Sequence, residues 1–115
     1  MIVTSIVLFL IAALGGLYMA ARIFAGNMPP WAVVIIHGVL AAAGLLVLLY
    51  ALFTDPQAAA VMIGAILLVV AALGGFFMLS YQLRKLPPPK IIVVVHALAA
   101  VLGVVCLLAN AIGMA

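Results

Sequence analysis

Residues 31–53 read WAVVIIHGVLAAAGLLVLLYALF. The stretch contains no charge and no proline, and it has one strongly polar side chain, His37. At 1.5 Å rise per residue it is long enough for a helix to cross the hydrocarbon core of a bilayer, which takes about 20 residues. A lipid-crossing segment must satisfy its own backbone, so helix is the only sensible state.

The rest of the chain repeats the pattern. Apolar stretches run over Ile2–Ala21, Ala58–Leu83 and Ile91–Ile112. Of the 115 residues, 73% are hydrophobic and 4% charged, too few charges to cover a soluble domain of this length. The expected fold is all-α: a single integral-membrane four-helix bundle over residues 1–115. The first stretch lacks a basic leader and is too long for a typical signal-peptide core, so it reads as a helix of the bundle. Cys106 lies mid-helix, has no partner for an internal disulfide and belongs to no haem-attachment motif. It reads as a small buried apolar residue.

The charges predict orientation. Arg22, Arg84, Lys85 and Lys90 all fall on one side of the four stretches, and Asp55, the only acid, falls on the other. The positive-inside rule puts the basic loops in the cytoplasm and both termini outside, as for a bacterial inner-membrane protein. Tyr18, Trp31 and Tyr81 fall near the cytoplasmic interface, and Tyr50 and Phe53 near the outer one. The net charge of +3 reports this topology and offers no basic face for nucleic acid.

A shift of 59 positions lays the chain on itself without a gap. AALGG at 12–16 falls on AALGG at 71–75, Pro29-Pro30 on Pro88-Pro89, and His37 on His96, the only other histidine. The sequence reads as two copies of a helical hairpin, 1–56 and 60–115. Each has two crossings, so the copies are parallel and related by an axis along the membrane normal. Identities in the second helix of each copy (Val34/Val93, His37/His96, Ala41/Ala100, Gly44/Gly103, Leu48/Leu107) lie on one helical face. So do Leu8/Leu67, Ala12/Ala71, Gly15/Gly74 and Met19/Met78 in the first. These faces are expected to turn inward, toward a common axis.

Each histidine lies seven residues past its second proline, about 10 Å into its helix, with no buried carboxylate to pair with. An ionisable residue inside a membrane is a functional candidate by default. Two imidazoles at one depth on facing helices could ligate a haem b from both sides. The macrocycle would be flanked by Gly15, Gly16, Gly74 and Gly75 and given room by Ala41, Ala100, Gly44 and Gly103, with its propionates toward Arg22 and Lys90. This arrangement resembles the general plan of membrane b-type cytochromes, with electron transfer to a quinone or a membrane redox partner. Three alternatives stand beside it. Met19 and Met78 could join the histidines in a copper site. Each histidine could ligate the magnesium of a (bacterio)chlorophyll. Or the histidines are interhelical glue, and the chain is a structural subunit of a larger membrane complex. There is no nucleophile triad, carboxylate pair, phosphate loop or dinucleotide fingerprint, so an electron carrier or accessory subunit is expected rather than an independent enzyme. A coupled multidrug-type transporter would want an embedded acid, and none is present.

Overall fold

The computed structural model describes residues 1–114 and contains four helices: α1 (Ile2–Phe24), α2 (Trp31–Thr54), α3 (Ala59–Leu83) and α4 (Lys90–Ala111). Ala115, the end of the second expected copy, lies outside the described residues. All four helices are long and apolar enough to span a membrane. The molecule measures 42 × 20 × 19 Å, and its long axis suits a bilayer of about 40–45 Å including head groups.

The expected boundaries hold to within a residue, except at the end of α1. That helix runs another turn past Ala21, which brings Arg22 into its last turn. The Arg22 guanidinium then donates from Nε and Nη2 to the carbonyl of Met28, at 3.0 and 2.7 Å, and folds the following loop back over the helix end. At the starts of α2 and α4, Pro30 and Pro89 are the capping residues. Their φ values of −69° and −57°, with ψ near 140° and 131°, hold the chain extended up to the first helical residue.

Short connections make sequential helices antiparallel neighbours. α1 packs chiefly on α2, and α3 chiefly on α4. The two hairpins touch each other more sparingly, through α1 with α4 and α2 with α3, and the backbones of the diagonal pairs stay apart. The bundle is therefore a square of two tight pairs with a looser seam between them.

Its two ends differ. The end carrying the N-terminus and the α2–α3 connection is solid. Ile6, Phe9, Leu48, Val61, Ala65, Leu68 and Leu107 form one cluster there, with Leu48, Val61 and Leu107 fully buried. α3 and α4 meet backbone to backbone in this region. A Cβ placed on Gly64 would lie 2.9 Å from the Gly103 carbonyl oxygen, and one on Gly103 would lie 3.0 Å from that of Gly64. Small residues allow such approach, and in lipid close packing is what drives helix association. The other end, bearing the two basic connections, is hollow, and the histidines face that hollow.

Candidate functional site

The site is built from two equivalent contacts. Nδ1 of His37 lies 2.7 Å from the carbonyl oxygen of Ala12 on α1, and Nδ1 of His96 lies 2.6 Å from that of Ala71 on α3. A carbonyl only accepts, so Nδ1 donates in both, and the lone pair of each neutral ring is left on Nε2. No other protein group bonds to either Nε2 among the described residues.

The AALGG segments explain how a side chain reaches a carbonyl that the helix already uses. In α1 the Ala12 carbonyl is normally covered by the side chain four residues on, but that residue is Gly16. A Cβ there would sit 3.1 Å from His37 Cε1 and 3.4 Å from its Nδ1. The imidazole occupies the space that a side chain would fill. Gly75 does the same for His96, with its absent Cβ 3.4 Å from Cε1. The glycine before each, Gly15 and Gly74, lies against the histidine stem: a Cβ added there would meet the histidine Cβ at 3.6 and 3.5 Å, an ordinary contact. So each AALGG supplies an acceptor, a slot for the ring and a seat for its stem.

The two rings face each other across the seam, with centroids 6.2 Å apart and planes at 69°. They line one cavity of about 570 Å³ bounded by all four helices. Its walls are apolar except for the two histidines and Gln82, whose amide donates to Pro29 O at 2.9 Å. Every first-hairpin residue that lines the cavity has a counterpart 59 positions on that lines it too, with Leu10 the one exception.

The expected site residues fall into three groups. His37, His96, Gly16, Gly75, Ala41, Ala100, Met19 and Met78 line the cavity together. Gly15 and Gly74 lie behind the histidine stems, while Gly44 faces the Phe9 ring, 3.1 Å from where its Cβ would be, and Gly103 faces Leu68 and Gly64. These four support the walls from outside the cavity. Arg22 and Lys90 stand at the basic end beyond it. Arg22 is engaged with Met28 O, and Lys90 Nζ lies 5.6 Å from the centroid of the Phe24 ring.

Three contributors escaped the sequence reading: the Ala12 and Ala71 carbonyls, Gln82 and Gly64. A backbone acceptor leaves no residue-type signature. Gln82 and Gly64 match Ile23 and Ser5 in the shifted alignment, so a search for identities passes over them. Among the described residues, no three His, Cys, Asp or Glu side chains gather as a metal-binding group. A metal at this site would need other donors beside the imidazoles. Comparison of the chain with protein families, curated proteins and solved structures yields no match.

Proposed function

We propose that this chain is a small membrane cytochrome of the b type. In this reading one haem sits in the seam between the hairpins, with Nε2 of His37 and Nε2 of His96 as axial ligands. The observation that carries the proposal is the matched pair of Nδ1 bonds to Ala12 O and Ala71 O. A ligating histidine typically gives its other N–H to a carbonyl or carboxylate, which fixes the tautomer and aims the free nitrogen. The spacing also suits the group. Two nitrogens about 2 Å from one metal put trans ring centroids roughly 6 Å apart, close to the 6.2 Å found.

Bound there, the iron would supply one-electron chemistry. The chain's part is to hold both imidazoles in one tautomer and to exclude water with apolar walls. We read the halves 1–56 and 60–115 as parallel copies of one hairpin, and the matched cavity lining supports this. With the positive-inside rule, the basic loops are cytoplasmic and the termini extracytoplasmic, and Arg22 would have to leave Met28 O to reach a propionate from the cytoplasmic rim. A single centre near one face cannot carry electrons across the bilayer alone, so a quinone or a membrane redox partner is implied.

Purification from its native membrane followed by an optical spectrum tests the reading. A Soret band with low-spin features that shift on dithionite is expected. A colourless, metal-free protein would overturn it and leave the structural-subunit reading, which the same histidine–carbonyl bonds serve as ordinary interhelical contacts. Met19 and Met78 share the cavity, so stoichiometric copper without a tetrapyrrole would point to a thioether–imidazole site. Far-red absorption insensitive to dithionite would point to (bacterio)chlorophyll. For orientation, a C-terminal reporter active only in the cytoplasm should stay silent.

A further inference from the structure

We infer that the cavity exchanges its ligand with the bilayer interior rather than with water, through the gap between α2 and α3 beside Gly38 and Ala42. The inference rests on the haem-binding reading and adds the route. Both water-facing ends of the cavity are closed. At the solid end Leu48, Val61 and Leu107 are fully buried beneath it. At the basic end Pro29, Pro88 and Gln82 are buried, and the Gln82 amide bonds across the hairpins to Pro29 O. The flanks are different. With 3.6 residues per turn, Gly38 and Ala42 turn from the His37 row toward α3, and Ala72 and Phe76 turn toward α2. All four line the cavity, yet Gly38, Ala42 and Phe76 are also exposed on the outer surface. A residue that is at once wall and surface marks an opening. Within a spanning segment that surface meets acyl chains.

The two flanks are not equal. On the α1–α4 side the matched positions hold Ala97 and Val101 where the α2–α3 side has Gly38 and Ala42. A Cβ added at Gly38 would meet nothing within 4 Å. Ala13, Leu17, Ala97 and Val101 also line the cavity and are exposed on the α1–α4 flank. But α2 and α3 touch each other less than α1 and α4 do, which makes the α2–α3 flank the looser opening. A flat, largely apolar molecule held in the bilayer, as haem is, could enter the cavity through it.

The test uses the full-length chain, freed of haem and reconstituted in lipid vesicles, mixed with donor vesicles that carry haem. Growth of the bound Soret band gives uptake, and transfer back to haem-free vesicles gives release. The double variant Gly38→Leu with Ala42→Leu should slow both several-fold. Val39→Phe with Leu46→Phe, on the outward face of α2, should keep the wild-type rates, and Ala97→Leu, in the wall of the opposite flank, should slow them less than the double variant does. Circular dichroism and final occupancy show whether the double variant is folded. If it is not, Ala42→Phe alone takes its place, with the same slowing expected. Wild-type rates in a folded plugged variant overturn the route. So does lowered occupancy without slowed exchange, which would make Gly38 and Ala42 mere binding wall, and so does slowing confined to Ala97→Leu. Failure of the wild type to take up haem at all overturns the binding reading itself, and is a different result from each of these.

Discussion

The two hairpins carry the same residues at their histidine seats and differ at most of the positions around them. His37 and His96 each bond a carbonyl 25 positions back, over a glycine and beside a second glycine. Around those seats the surroundings diverge. A Cβ added at Gly44 would meet the edge of the Phe9 ring, whereas one at Gly103 would meet the branch point of Leu68 at 2.7 Å and the Gly64 carbonyl at 3.0 Å. Ile23 lines the cavity where Gln82 lines it in the other half, with an amide committed to Pro29. The first hairpin makes its turn with Gly26, the second with Lys85. What stays alike is what orients two imidazoles. What differs is how each pair of helices is held together.

The largest expected effect separates the hairpins at their packing. Gly103→Leu has no room, because one neighbour is backbone and another is a branched carbon within a tight contact. Overfilling of this kind costs about 1–3 kcal/mol and occasionally more. Gly44→Leu meets only the edge of an aromatic ring, which can tilt, and should cost less. Thermal or detergent-induced unfolding of the two variants measures the difference. Equal losses would mean that α1–α2 is packed as rigidly as α3–α4.

The second prediction should not separate them. His37→Ala and His96→Ala each remove one interhelical bond to a carbonyl, worth on the order of 1 kcal/mol. The two losses should agree closely; under the proposed haem-binding reading, either change should also abolish a bis-imidazole spectrum and the double change should abolish haem binding. A variant that keeps the wild-type spectrum would show that its histidine is not a ligand and that the matched seats are structural only.

How much of this could be read from the chain follows the same division. The four helices and their inward faces were legible because lipid allows no other backbone and because identities 59 apart fell on one side of each helix. Gly44, Leu48, Gly103 and Leu107 on that side are buried. The histidines were legible as rare polar groups in an apolar setting. What each glycine does was not. Gly16, Gly38, Gly44 and Gly64 are one letter, yet they make room in turn for an imidazole, an opening, a phenyl ring and a backbone. A missing side chain records no partner. The AALGG segments looked like the flanks of a flat ligand, and they are first of all the seats of the histidines.

That reassignment sharpens into a third, smaller contrast. Gly16→Ala puts a methyl 3.1 Å from His37 Cε1, tighter than nine in ten real contacts, so the ring must give by a few tenths of an ångström and its bond to the Ala12 carbonyl is strained. Gly75→Ala leaves 3.4 Å to His96 Cε1, an ordinary contact. The first variant should lose part of one hydrogen bond, roughly half a kcal/mol on the scale of membrane interhelical bonds. It should also perturb the haem spectrum. The second should stay near wild type in both. If Gly75→Ala perturbs the spectrum as strongly, the second seat is no roomier than the first.

The smallest effect concerns the turns. α1 ends with Gly26 at φ +85°, where the Gly26 amide bonds to Ile23 O and the Asn27 amide to Arg22 O. α3 ends in the same pattern, with the Lys85 amide on Gln82 O and the Leu86 amide on Tyr81 O. This closing turn needs one residue in the left-handed region, a position that glycine fills without steric cost. Lys85 fills it at φ +58°, with its Cβ crowded against backbone, for roughly 1–2 kcal/mol. Lys85→Gly relieves that crowding but adds freedom to the open chain, so the net gain should be about 0.5–1 kcal/mol. Gly26→Ala should lose a similar amount, since it puts a Cβ where none is now. Arg84 beside Lys85 lies 4.5 Å from the Tyr81 ring centroid, and the two make this the more basic of the two turns. Unfolding midpoints of the two variants should therefore move in opposite directions. Lys85→Gly should also weaken the topological bias without reversing it, because Arg22, Arg84 and Lys90 remain. A Lys85→Gly protein less stable than wild type would mean that the lysine side chain makes a contact worth more than the strain of its backbone, and the two turns would then differ in more than one residue's conformational freedom.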